Sequence, residues 1–254
     1  MASRVPVAFD VLGTCFSFEG CTRALRSSFP TLTSGHATSI TEDWFHSAQR
    51  DFTYLSLNDS YRPIAQVLKA TLPRILLMHE LVPASAASSG KINPAQLPES
   101  LLEPIISAIP SLPPRPGLAQ ASDLLLSANF RLMAATNGAL ETTRGLFVKA
   151  LGETEAKRWE YFSCDEDRVA KPAPSVYRDV WRKLGVDADT EKKHGWFVAS
   201  HTWDLFAAKK AGFKTALVTY EEHLVLEDLF GQPDIVAPNL EELARQIIAA
   251  ERRA

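Results

Sequence analysis

Cysteine is scarce in this chain: only Cys15, Cys21 and Cys164 occur among 254 residues. An odd count without metal-ligand spacing argues against a disulfide framework and fits a reducing compartment, where all three read as small buried hydrophobes. A surplus of charge is lacking too, since 27 Lys and Arg stand against 30 Asp and Glu for a net −3. The cations are scattered, so no basic stripe marks nucleic acid or an anionic membrane surface as a partner. No apolar run approaches membrane-spanning length, and the first strand candidate leaves no room before it for a charged and then apolar leader. The expected location is the cytoplasm. Internal repeats and long low-complexity tracts are missing as well. What remains is an ordinary globular composition, 46% hydrophobic and 22% charged, with a small-molecule substrate as the default partner.

The first ten residues hold the most informative position. An apolar run from Val5 to Phe9 reads as a short buried strand and breaks at Asp10. In an open α/β sheet, ligands collect beyond the carboxyl ends of the strands, so Asp10 is placed to face a crevice. Gly13 lets the backbone turn away, and Thr14 is suited to satisfy a loop amide.

From Phe130 onward, short apolar strands alternate with amphipathic helices. The segments are Phe130–Thr136, Glu141–Leu151, Tyr161–Cys164, Pro174–Leu184, Trp196–Ser200, Leu205–Ala211 and Thr215–Thr219. This succession predicts a parallel sheet with right-handed crossovers, which gathers every carboxyl end on one rim. A weak strand at Asp234–Ala237 and a terminal helix capped by Asn239 close the chain. Residues 16 to about 114 show helical periodicity instead, over Thr41–Leu57, Ser60–Leu81 and Pro94–Ile109, with little strand signal. Ser85–Gly90 reads there as a flexible connection and Leu112–Gly117 as a stiff return hinge. The fold class is therefore α/β, with a core of residues 1–15 and 116–254 and an inserted helical cap of residues 16–115.

Four strand-end pieces carry the chemistry: Phe9-Asp10-Val11-Leu12-Gly13-Thr14, Ala135-Thr136-Asn137-Gly138, Ala170-Lys171-Pro172-Ala173-Pro174-Ser175-Val176-Tyr177 and Val198-Ala199-Ser200-His201-Thr202-Trp203-Asp204. A carboxylate at Asp10 is suited to nucleophilic attack that forms a covalent ester. An ammonium at Lys171 favours its ionised form. Thr136 and Asn137 offer donors to an anionic group, and Asp204 could position or deprotonate a water.

In order and in setting, the four pieces resemble the motifs of the haloacid dehalogenase superfamily over essentially the whole chain. The resemblance implies a Rossmann-like parallel core with a helical cap. Phosphatases of that superfamily carry an acid where Leu12 stands and a magnesium-ligating carboxylate where Ser200 stands. Halide leaves without a proton, so the chain looks most like the 2-haloacid dehalogenase branch, which needs no metal or other cofactor. That resemblance implies Asp10 as nucleophile, Lys171 as charge partner and Asp204 for hydrolysis, with Leu12, Thr136, Asn137, Tyr177, His201 and His46 around the substrate. His201 replaces the family's Asn, and His46 its halide-contacting Arg if the segment Trp44–Leu55 aligns.

Blander readings stand beside these. Asp10 could cap a loop, Lys171 could be solvated, Asp204 could cap a helix beginning near Leu205, and Tyr177 could be a packing residue with a satisfied hydroxyl. His201 and His46 are both compatible with structural roles, and the aromatics near His46 read as cap core. Two other functions stay open: a divergent phosphohydrolase using magnesium, and a non-catalytic binding protein of the same fold. Exposed cap helices leave a homodimer possible.

Overall fold

The computed structural model describes residues 5–185 and 194–253, so residues 1–4 and 254 of the expected core, and its stretch 186–193, lie outside the described residues. In chain order, strand β1 (Pro6–Phe9) leads into helices α1 (Glu19–Ser28), α2 (Ser34–Leu57) and α3 (Ile64–Met78). A hairpin of β2 (Ala87–Ser88) and β3 (Lys91–Ile92) follows, then α4 (Glu99–Ile106) and α5 (Leu118–Ser127). Next come β4 (Arg131–Thr136), α6 (Leu140–Leu151), α7 (Glu153–Ala156), β5 (Trp159–Ser163), α8 (Cys164–Asp167) and α9 (Pro174–Lys183). The chain ends with β6 (Trp196–Ala199), α10 (Thr202–Lys210), β7 (Lys214–Val218), α11 (Glu227–Phe230), β8 (Ile235–Ala237) and α12 (Leu240–Arg253). Two compact units result, one of Met1–Ser17 with Pro114–Ala254 and one of Phe18–Pro113. Their boundaries differ by two residues from the 15/16 and 115/116 expected from the sequence.

The first unit is built on a six-stranded sheet in the order β5-β4-β1-β6-β7-β8, and every neighbouring pair in it is parallel. All four residues of β1 are buried, as a central strand covered on both faces requires. The chain runs outward from β1 to β4 and β5, then returns to add β6 on the other side of β1. That reversal puts the crevice at the carboxyl ends of β1 and β6. Asp10 lies at its lip, its backbone N–H donating to the Val198 carbonyl at 2.9 Å.

Met133, Phe162, Tyr177, Phe197 and Phe213 belong to one buried cluster. Phe147 packs against both Phe16 and Trp159, with ring centroids 5.2 and 4.7 Å apart. After Ser17 the unit resumes where Arg115 N–H donates to the Cys15 carbonyl at 2.8 Å and Phe16 bridges Pro114. Gly117 then starts α5 at φ +85°, where a Cβ would come within 3.0 Å of the Glu241 backbone nitrogen. Only glycine meets both demands. At the far end, Asn239 accepts from Glu242 N–H at 2.9 Å and caps α12.

In the second unit, Trp44 on α2 donates its indole N–H to the Leu68 carbonyl of α3 at 3.0 Å, and Phe52 meets Tyr61 with centroids 5.3 Å apart. Two expectations fail here. Ser85–Gly90 is a 3-10 turn running into the antiparallel hairpin, with Ala87 opposite Ile92, so this unit does contain strand. The helix expected from Ser60 starts only at Ile64, because Pro63 at ψ 138° holds an extended entry. Among the described residues, no helix is long and apolar enough to cross a membrane.

Candidate active site

Topology alone brings the strand ends together, and the loops decide which side chains meet there. Lys171, in the loop that enters α9, reaches its ammonium between two carboxylates, 2.5 Å from Asp10 Oδ1 and 2.7 Å from Asp204 Oδ2. Its side chain is 1% exposed, against 9% for Asp10 and 0% for Asp204. Three charges so deeply buried cost more in desolvation than they return unless paired. Here one cation serves two anions, and the hydroxyl of Tyr177 donates to Asp204 Oδ1.

The electrostatics follow from that wiring. Burial alone would lower Lys171, but the attraction of Asp10 and Asp204 outweighs it and holds the ammonium above its ordinary range. Burial pushes Asp204 up to about 6; the Asp10 charge adds to the rise, while Lys171 and Tyr177 oppose it. Burial, and then the Asp204 charge, raise the Tyr177 phenol well above its usual value, so it stays protonated.

Asp10 is held from a second side. Thr14 donates to Asp10 Oδ2 at 2.7 Å and accepts the Ser200 N–H at 2.9 Å, while the Ser200 hydroxyl lies 3.1 Å from it. The loop-amide role of Thr14 is legible in the sequence, whereas its bonds to Asp10 and to the Ser200 hydroxyl are not. The four-residue spacing of Asp10 and Thr14 around a glycine turn was the available signal. Gly13 takes φ +89°, and a Cβ there would come within 3.1 Å of His201 Cε1, so the turn is what admits the imidazole. Arg115, more than a hundred residues away in sequence, donates Nε–H to the Gly13 carbonyl at 3.0 Å and pairs with Glu221. No local pattern announces that brace.

The remaining candidates divide. Asn137 follows β4 and accepts the Lys171 backbone N–H through Oδ1 at 3.0 Å, so it anchors the lysine loop. Thr136 accepts the Gly138 N–H at 2.8 Å. Leu12 is partly buried, with its methyl about 3.9 Å from where a Gly138 Cβ would stand. His201 is 3% exposed at the N-terminus of α10, stacked on Trp203 with Nδ1 3.4 Å from the Ser200 hydroxyl.

His46 lies on α2 in the other unit, exposed and beside the Phe45 ring. The capping role for Asp204 fails: α10 begins at Thr202, and Asp204 sits inside its first turn with both oxygens facing Lys171 and Tyr177. The solvated reading of Lys171 fails on its burial. All three cysteines are buried and unbridged.

The chain is similar to known proteins in sequence and in fold. The (S)-2-haloacid dehalogenase 4A of Burkholderia cepacia is 29% identical over 122 residues, 47% of this chain and 49% of that protein. The chain thus spans about half the length of the curated relative it matches. The solved L-2-haloacid dehalogenase of Xanthobacter autotrophicus superposes with a TM-score of 0.71 at 25% identity, over 96% of this chain and 98% of that one. A second structure of that enzyme, with chloropropionic acid covalently bound, gives the same TM-score at 24% identity over the same shares. The sequence profile of the haloacid dehalogenase-like hydrolases matches residues 7–212. With most of its length inside that match, the chain belongs to the haloacid dehalogenase-like hydrolase family.

Proposed function

We propose that the protein is a metal-independent hydrolase of the 2-haloacid dehalogenase type, with Asp10 as its nucleophile. The observation that carries this reading is the Lys171 ammonium bridging the carboxylates of Asp10 and Asp204. The two bonds from Lys171 and Thr14 orient the Asp10 carboxylate. An Asp10 oxygen attacks the carbon bearing the halogen; the C–O bond forms as the C–halogen bond breaks, and halide departs with the bonding pair. Water then attacks Asp10 Cγ while Asp204 takes its proton, and the ester C–O bond on the protein side breaks. The departing 2-hydroxyacid oxygen picks up that proton, and the second proton of the water passes to solvent as Asp10 is restored as a carboxylate. A base near 6 is well matched to such a proton transfer at neutral pH. The covalently bound chloropropionic acid of the Xanthobacter relative supports a covalent first step here.

Magnesium does not suit these residues. A hard divalent ion asks for several oxygen ligands in near-octahedral order. Here the ammonium sits between the two acids, the second Asp204 oxygen is taken by Tyr177, and the Thr14 hydroxyl is committed to Asp10. Leu12 offers no proton to an alkoxide leaving group. Incubation with 2-haloacids should therefore release halide and 2-hydroxyacid equally well with and without a chelator. Phosphate release from phosphoesters, stimulated by magnesium, with no halide released, would replace this reading with that of a phosphohydrolase.

A further inference from the structure

A cavity away from Asp10 lies in the first unit. It has a volume of about 440 Å³ and opens between α9, α10 and α11, a size typical of small-molecule sites. Trp203, Phe206, Phe230 and Pro172 form its walls, and the Arg178 and Lys210 side chains reach it from α9 and α10. No acidic side chain lines it among the described residues. Neighbouring cations on the same helices are matched, Arg182 with Asp179, Lys183 with Glu166 and Lys209 with Asp234. Arg178 and Lys210 have no ion pair among the described residues. Lys210 instead lies over the Phe206 ring, 4.4 Å from its centroid, and Phe206 meets Phe230 edge-on at 5.8 Å.

We propose that this cavity binds a flat aromatic carboxylate. The ring packs against Trp203, Phe206 and Phe230, and the carboxylate takes the Arg178 fork and the Lys210 ammonium. Arginine suits the task because its planar donors match a carboxylate in two bonds. The aromatic walls supply burial that a small inorganic anion would not use. Pro172 and Trp203 adjoin Lys171 and Asp204 in sequence, yet neither catalytic candidate lines the cavity. The site is thus separate from the proposed chemistry and does not depend on it.

Calorimetry of the full chain with 2-naphthoate tests the proposal, with the neutral 2-naphthamide as charge control. Binding in the millimolar range or tighter is expected, weakened about tenfold or more in an Arg178→Ala, Lys210→Ala double variant and for the amide. Ala207→Phe, which puts a ring into the cavity, should abolish binding while circular dichroism stays unchanged. Absence of binding at 10 mM naphthoate, or equal affinity in the double variant, would overturn the proposal, the second result placing the acid elsewhere.

Discussion

The rim of the sheet and the helices of the inserted unit solve opposite problems. At the rim, charge is buried and every group is held by named partners: Asp10 by Lys171 and Thr14, Asp204 by Lys171 and Tyr177, the Lys171 loop by Asn137. In the helices of residues 18–113, apolar surface is buried and charge stays outside, as in the exposed Arg74–Asp51 pair at 2.6 Å. The first arrangement is costly and narrow in its tolerances, while the second is ordinary helix packing. Substitutions should therefore behave differently in the two places.

The largest effect is expected at Asp10. An Asp10→Asn variant should fold and lose turnover by about a thousandfold or more, read by halide release alongside circular dichroism. Retained activity would break the contrast at its root. Next, Lys171→Met leaves two buried carboxylates facing each other and should cost about 3–5 kcal/mol in urea unfolding, together with loss of turnover. In the helical unit, Trp44→Ala should cost a similar ~3–5 kcal/mol through the cavity it leaves, whereas His46→Ala, on the exposed face, should stay within about 0.5 kcal/mol. A large loss of stability in the His46 variant would erase the distinction.

The two regions also differed in what their sequences disclosed. A short apolar strand that breaks into a loop fixes where the loop begins, so the sequence alone puts Asp10, Lys171 and Asp204 on one rim. Bonds made across long separations could not. Arg115 to Gly13 and Thr14 to Ser200 depend on which loops become neighbours, and nothing near either residue encodes that. In the helical unit the periodicity located α2 and α3, and Trp44 and Phe52 are buried as cap core should be, yet Tyr54 is 58% exposed. The short hairpin at Ala87–Ile92 was invisible because two-residue strands carry no alternation to detect.

Acid should act more gently on the rim. Because burial raises Asp204 to about 6, its base form is lost below that pH, and turnover should fall along an acid limb near 6. Tyr177 donates to the ionised form and so opposes that rise, so Tyr177→Phe should move the limb to higher pH. A limb left in place would remove Tyr177 from the wiring of Asp204.

A modest effect is expected where α12 meets the first residues of β6 and β7. Burial tends to raise Glu251, but bonds from Lys214, Trp196 and His194 outweigh it and hold its carboxyl below the ordinary range. A lowered acid stabilises the fold above its unfolded pKa and loses that contribution as pH falls through the folded value. Glu251→Gln should accordingly cost about 1 kcal/mol at neutral pH, with the difference from the parent shrinking in acid.

Attack by Asp10 itself is tested most directly by one turnover of excess enzyme on a 2-haloacid in heavy-oxygen water, followed by mass spectrometry of the peptide holding residues 5–23. Label is expected in the Asp10 carboxylate and none in the released 2-hydroxyacid. Label in the product alone, with the peptide unchanged, would mean that water displaces the halide without a covalent ester.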